Sequence, residues 1–249
     1  MKCVIILPCY NEERNVQPLI SEINRAISQS IPYRIIAVND GSEDDTANVL
    51  RRLLKEYPIQ VIDHKKNFGL AAALRTGLNA ALEHASEDDF IVTMDADNTH
   101  DPTTIKYMIK EMEEGAEIVV GSRYTKGGKQ LNVPPHRILL SKICNFIISK
   151  ILHIPLKDVT SNFRCYRAST LKKVAIKLGD KFIQSNGFDA PLEILFKTYL
   201  YAHAIVKEVP TTLHYGRKLG GSKLKLIQTI VNYLRLFHRL RNLQKRIQF

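Results

Sequence analysis

The chain reads as an α/β protein built on a doubly wound, mostly parallel sheet. From Cys3 to Val120, short apolar runs alternate with helix-length amphipathic segments. That order lays helices on both faces of a parallel sheet. Polar clusters follow four of the runs directly, and open sheets of this kind bind ligands beyond the carboxyl ends of their strands. At 249 residues, 45% hydrophobic and 24% charged, one domain with a full core is expected.

Cys3-Val4-Ile5-Ile6-Leu7, stopped by Pro8, predicts the first strand and is too short for a signal peptide. Arg34–Val38, Ile59–Ile62, Phe90–Met94 and Ile118–Val120 predict four more, each brief, apolar and bounded by polar residues. Between them, apolar residues at helical spacing predict helices over Glu13–Ser28, Asp45–Tyr57, Leu70–His84 and Pro102–Glu114. Two further amphipathic segments follow. One carries Ile138, Leu139, Leu140, Ile143, Phe146, Ile147 and Ile151 with Lys142 and Lys150. The other, from Leu224, interleaves Leu226, Ile230, Leu234, Phe237 and Leu240 with Arg235, Arg239, Arg241 and Lys245.

The net charge of +11 is concentrated at the end of the chain. Glu208 is the last acidic residue and nine basic ones follow it, so the basic surface belongs to the tail. A basic amphipathic helix lies in a membrane interface and is drawn to anionic lipid. The large aliphatics among the charges argue against a nucleic-acid-binding arm, and no nucleic-acid partner is expected. Residues 1–222 are therefore expected to form the main domain and residues 223–249 a membrane-associating tail. No apolar stretch is long enough to span a bilayer; even Ile138 to Ile154 is broken by Lys142, Lys150 and His153. The four cysteines, Cys3, Cys9, Cys144 and Cys165, have no paired spacing and fit reduced thiols in a cytosolic setting.

Asp95-Ala96-Asp97 is the most informative triplet. Residues at i and i+2 of an extended segment point the same way, so both carboxylates converge where the fourth run ends. Two like charges that close need a cation or a proton between them. All-oxygen ligation selects Mg²⁺ or Mn²⁺, which completes its shell with substrate phosphates and water. The other clusters on the same edge are Pro8-Cys9-Tyr10-Asn11-Glu12, Asn39-Asp40-Gly41-Ser42 and Gly121-Ser122-Arg123-Tyr124. Asp40 can accept hydrogen bonds from a base or ribose, Pro8 and Tyr10 can wall a base, and Glu12 can serve as acceptor or as a helix N-terminal acid. Neither Gly-x-Gly-x-x-Gly nor Gly-x-x-x-x-Gly-Lys-Ser/Thr occurs, so phosphate charge must be met by a metal at Asp95 and Asp97.

In order along the chain, these clusters are joined by Asn67-x-Gly69, Ala72–Gly77, Asp158–Arg167, Glu208-Val209-Pro210 and Arg217-x-x-Gly220-x-Ser222-Lys223. Together they resemble the inverting family 2 glycosyltransferases of the GT-A fold, and within them the polyprenyl-phosphate sugar synthases. The likeness covers roughly residues 3 to 225. It implies a hexose, of mannose or glucose type, moved from a GDP- or UDP-linked sugar to a polyprenyl monophosphate at the cytosolic membrane face. Attachment would rest on a membrane-anchoring partner protein or on the tail alone. By resemblance, Pro8, Tyr10, Glu12 and Asp40 hold the nucleoside, and Asp95 and Asp97 hold the metal. Arg123, Arg137 and Ser141 contact the acceptor phosphate with Arg164 added, and Lys223 folds over the diphosphate as a lid. Thr99 stands where the family often has a metal-binding glutamine, and Asn162 replaces the glycine of the usual Ser-Gly-Phe-Arg.

A lipid monophosphate is largely dianionic near neutral pH, so it needs no general base to attack an anomeric carbon. What it needs is cations that bind and aim it. Two alternatives stay open at this point. A family 2 transferase acting on a hydroxyl would need a carboxylate base, for which Asp158 and Asp189 are candidates. A catalytically silent membrane adaptor of the same fold is the other, with Asp95, Asp97 and Arg123 intact against it.

Overall fold

The computed structural model describes residues 1–220 and 226–247. The chain runs β1 (Cys3–Cys9), α1 (Val16–Ile27), β2 (Tyr33–Asn39), α2 (Thr46–Leu53), β3 (Ile59–Asp63), α3 (Leu70–His84) and β4 (Phe90–Thr93). It continues through α4 (Thr104–Glu113), β5 (Ile118–Ser122), β6 (Lys129–Leu131), α5 (Pro135–Leu152), β7 (Arg164–Arg167) and α6 (Ala168–Leu178). The last elements are α7 (Ala190–Ala202), β8 (Val206–Pro210), β9 (Thr212–His214) and α8 (Leu226–Ile247).

Seven strands form one sheet in the order β3-β2-β1-β4-β7-β5-β8, and β6 pairs with β9 in a small second sheet. Every pairing in the large sheet is parallel except those of β7, which runs antiparallel to both β4 and β5. The two reversals cancel, so β1, β2, β4 and β5 all point the same way. Their carboxyl ends share one edge, as the polar clusters predict.

Alternation along β1 explains how one sheet serves two cores. Val4 and Ile6 face a layer built with α3, α6 and α7, while Cys3, Ile5 and Leu7 face one built with α1, α2 and α4. Both faces are covered, which is why the strands read as continuous apolar runs rather than alternating ones. Burial in this core pushes the Cys3 thiol up to about 12, so it is an inert packing group.

Helix α3 keeps its predicted bounds, and the other three predicted helices shorten at their ends. Val16 N–H bonds back to Glu12 O and Tyr57 N–H to Leu53 O, so residues 12–15 and 54–57 are turns flanking α1 and α2. Strands β6 to β9 lie outside the five predicted. In β7, Arg164 and Arg167 bracket only four residues, Arg-Cys-Tyr-Arg, and the run carries no strand pattern by itself. Tertiary pairing with β4 and β5 forms it.

Helix α5 reverses the usual arrangement. Asn145, Ile148 and Leu152 make its buried stripe, while Leu139, Leu140, Ile143, Phe146, Ile147 and Ile151 are exposed. Helix α8 joins the core through Leu236 and Leu240. There Arg239 reaches the fully buried Glu193 at 2.8 Å, and Lys197 binds the same carboxylate oxygen at 2.6 Å. No helix among the described residues is long and apolar enough to cross a membrane.

Candidate active site

Hydrogen bonds lock the first two clusters of the edge to each other. Asn11 adopts φ 52°, and its N–H donates to Ser42 Oγ at 3.0 Å while Glu43 N–H donates to Asn11 Oδ1 at 2.8 Å. Glu12 is buried, and its side chain accepts from Asn15 Nδ2 at 2.6 Å. Pro8 and Tyr10 are half-buried beside it. Asp40 is 3% exposed and turns inward. Its oxygens accept from the backbone N–H groups of Phe68 and Gly69 at 2.9 and 2.8 Å, and Oδ1 also meets His64 Nδ1 at 2.7 Å. The structure therefore places Asp40 as the brace of the 64–69 loop. Asn39 and Gly41, on either side of it, line a polar cavity of about 450 Å³ with Ser42, Asp63, Lys65 and Asn67.

Beyond β4, Asp95 and Asp97 are held by different neighbours. Asp95 is half-buried; its Oδ1 accepts from Asn162 Nδ2 at 2.9 Å and its Oδ2 meets His100 Nε2 at 3.2 Å. Burial works against its charge, but His100, Asn162 and Lys218 outweigh that and hold its carboxyl below the usual range. The turn that follows is closed by Asn98 at φ 61°. It brings both the N–H and the hydroxyl of Thr99 onto Asp97 Oδ1, at 3.2 and 2.7 Å. Thr99 thus positions Asp97. The remaining oxygen, Oδ2, carries the ammonium of Lys218 at 2.8 Å. Burial opposes the Lys218 charge, but Asp97, Glu12 and Asp95 raise its pKa above the ordinary lysine value.

This pair suits a hard divalent ion. Its donors are carboxylate oxygens, and one of them already attracts a cation. Among the described residues no third His, Cys, Asp or Glu completes a metal-holding group, which fits an ion that takes further ligands from phosphate and water.

After β5 the chain supplies cations. Arg123 Nε and Nη2 donate to Asp158 Oδ2 and Oδ1, each at 2.7 Å, and Nη2 also donates to Thr160 Oγ1 at 3.0 Å. Burial disfavours both charges, yet each partner outweighs it, so the guanidinium's pKa is raised and the carboxyl's lowered. Asn145 extends the chain of contacts, donating to Thr160 Oγ1 at 3.0 Å and to Ser141 Oγ at 3.5 Å. Arg123 and Ser141 are thereby brought to one network. Arg137, one turn earlier on α5, donates to Tyr215 Oη at 3.3 Å.

Arg164 does not join that set. It is fully buried, and its guanidinium donates to Val159 O at 2.7 Å, to Pro191 O and to Tyr166 Oη. It supports the 158–160 turn from beneath. Lys223 lies outside the described residues. Asp189 is 3% exposed at the start of α7.

The geometry has relatives. The profile of Glycosyl transferase family 2 matches residues 4–175. The chain belongs to glycosyl transferase family 2. A dolichol-phosphate mannosyltransferase of Pyrococcus furiosus is 38% identical over 244 residues, covering 96% of this chain and 64% of that protein. This chain therefore spans just under two thirds of that relative's length. A polyprenol monophosphomannose synthase of Mycolicibacterium smegmatis is 30% identical over 225 residues, covering 90% of this chain and 81% of that one. Among solved structures, glucosyl-3-phosphoglycerate synthase from Mycobacterium tuberculosis with Mg²⁺ and uridine diphosphate superposes with a TM-score of 0.66. It does so at 17% identity, over 94% of this chain and 78% of that one, which establishes a GT-A-like fold.

Sequence reasoning misses Lys218 on Asp97 and the Asn145–Thr160 link. The motif Arg217-x-x-Gly220 leaves Lys218 as one of its unspecified positions, and a link between helix and loop has no linear signal. Asn162 is inside a recognised motif, and its amide on Asp95 shows what a glycine there would not supply.

Proposed function

We propose that this protein transfers a mannose-type hexose from a nucleotide-diphosphate sugar to the phosphate of a polyprenyl monophosphate, with inversion, at a membrane surface. The observation that carries the reading is the state of the Asp158 carboxylate beside Arg123. Asp158, a candidate base for a hydroxyl acceptor, has both oxygens on the Arg123 guanidinium. That arrangement supplies a fixed cation, which is what an acceptor bearing its own charge requires.

Asp95 and Asp97 would hold Mg²⁺ or Mn²⁺, which supplies neutralisation of the charge that develops on the leaving diphosphate. Pro8, Tyr10 and Glu12 border the nucleoside, and the polar cavity beside Asp40 is suited to its base. Arg123, Arg137 and Ser141 bind the acceptor phosphate and set it in line with the anomeric carbon, where positioning supplies the rate. The names of the relatives favour mannose and a lipid phosphate. The outward apolar face of α5, flanked by Lys142 and Lys150, matches an interfacial helix that keeps Arg137 and Ser141 near the headgroup layer. Arg235, Arg241 and Lys245, exposed on α8, add attraction to anionic lipid.

The test is transfer of labelled sugar from GDP-mannose and, in parallel, UDP-glucose to a short polyprenyl phosphate, with and without EDTA. Metal-dependent label in the lipid from GDP-mannose is expected. Label in no lipid phosphate from either donor would refute the reading.

A further inference from the structure

Lys218 sits where an incoming cation must go. Its Nζ is 2.8 Å from Asp97 Oδ2, the one oxygen of that carboxylate that Thr99 does not occupy. Both oxygens of Asp95 already have partners in His100 and Asn162. The pair is sheltered, with the Lys218 and Asp97 side chains 16% and 15% exposed. A divalent ion on Oδ2 would stand about 2.1 Å from it, within a few ångströms of the ammonium. Like charges that close, poorly screened, repel strongly. The ammonium and the metal therefore exclude each other at this oxygen.

The segment carrying Lys218 is fastened across the edge on both sides of it. His214 N–H bonds to Thr99 O at 2.8 Å. Leu219 N–H bonds to Asn15 Oδ1 at 3.1 Å, and Asn15 Nδ2 returns the contact to Leu219 O at 2.9 Å. Asn15 is in turn held by Glu12, and Arg217 pairs with Glu22 at 3.0 Å. Residues 214–219 thus form a strap from the Asp97 turn to the mouth of the nucleoside cleft, with Lys218 as its central pin.

From this we infer that Lys218 is an internal counter-ion that latches the 214–219 strap over the metal site and must be expelled when the divalent cation binds. It is a positioning residue: with no metal it neutralises Asp97 and keeps the strap down, and cation entry frees the strap. The inference rests on the assignment of Asp95 and Asp97 as metal-holding residues.

The test is Mn²⁺ titration of the full chain without nucleotide, followed by calorimetry or by the free-ion paramagnetic signal, for wild type, Lys218→Gln, Lys218→Arg and Lys55→Gln. Removing the pin should tighten Mn²⁺ binding by about threefold to tenfold, the range of a partly sheltered ion pair. Lys218→Arg keeps a cation and should stay closer to wild type than the glutamine variant. Lys55→Gln loses the same charge from the exposed turn after α2 and should match wild type. In hydrogen exchange, saturating Mn²⁺ should strip protection from residues 214–219 of the wild type, whereas Lys218→Gln should lack that protection beforehand. Equal Mn²⁺ affinity for wild type and Lys218→Gln, or a strap whose protection Mn²⁺ leaves unchanged, overturns the latch alone. No Mn²⁺ binding by any of the four proteins overturns the metal assignment and the latch with it.

Discussion

Arg123 and Asp158 form a two-pronged ion pair, Nε to Oδ2 and Nη2 to Oδ1, with both bonds at 2.7 Å and the Asp158 side chain fully buried. The backbone N–H groups of Lys157 and Asp158 both donate to Glu208 Oε1 at 2.9 Å, so β8 fixes the carboxylate that fixes the arginine. A planar guanidinium gripped in this way presents its remaining edge in one orientation.

Asp158→Asn should therefore weaken the fold as well as the reaction. Breaking a buried pair by removing one charge costs about 3–5 kcal/mol. For a chain of this size that is a fall of roughly 6 °C or more in melting temperature. A base acting on a hydroxyl would instead lose turnover with little change in stability, so thermal melting beside kcat separates the two roles. The pH dependence has a definite sign. The folded carboxyl titrates below its unfolded value of about 4. Its contribution is therefore complete above that pH and lost as acidification passes through the lower folded value.

Arg137 is the exposed member of the acceptor set, its side chain tethered among the described residues to Tyr215 Oη. Arg137→Ala should raise KM for the polyprenyl phosphate by about tenfold, the worth of one charge-assisted contact. KM for the sugar nucleotide should stay close to wild type. Steady-state kinetics with each substrate varied in turn reads the split.

Gly41 has φ +65°, and a Cβ there would run into the backbone of Lys66 and Asn67. Gly41→Ala should cost about 2 kcal/mol or more, since it adds left-handed strain to a clash with main chain that cannot swing aside. Melting temperature is the direct readout. Nucleotide affinity should fall with it, because the displaced loop lines the polar cavity.

On α5, Leu139 and Phe146 are 61% and 63% exposed. Each large apolar side chain moved from water into lipid is worth about 1.5–3 kcal/mol when fully buried. Replacing both with serine should lower partitioning onto anionic vesicles by about tenfold or more, while transfer to a short, water-soluble polyprenyl phosphate persists. Co-sedimentation checks the first outcome and the solution assay the second.

The sheet edge was legible because parallel strands fully buried on both faces write themselves as apolar runs, and β1, β2, β4 and β5 each hand directly to a polar cluster. Strand β7 was not legible, since Arg164-Cys-Tyr-Arg167 earns its extended form only from its two neighbours. Arg164 shows a related limit. A motif marks an arginine without saying which way it faces, and this one faces the core beneath Asp158. The same holds for Asp40, whose place in a polar cluster gives no hint that Phe68, Gly69 and His64 take its oxygens. Lys218 reaches Asp97 across 121 residues, a distance at which no local pattern operates.

In the proposed reaction the acceptor's own phosphate attacks the sugar, with cations and no protein base. Mass-spectrometric product analysis with polyprenyl phosphate and the matching polyprenol, offered separately with GDP-mannose and Mn²⁺, probes that step. A mannosyl phosphodiester is expected from the phosphate and no mannosylated product from the alcohol. Mannosyl polyprenol formed at a comparable rate would contradict it.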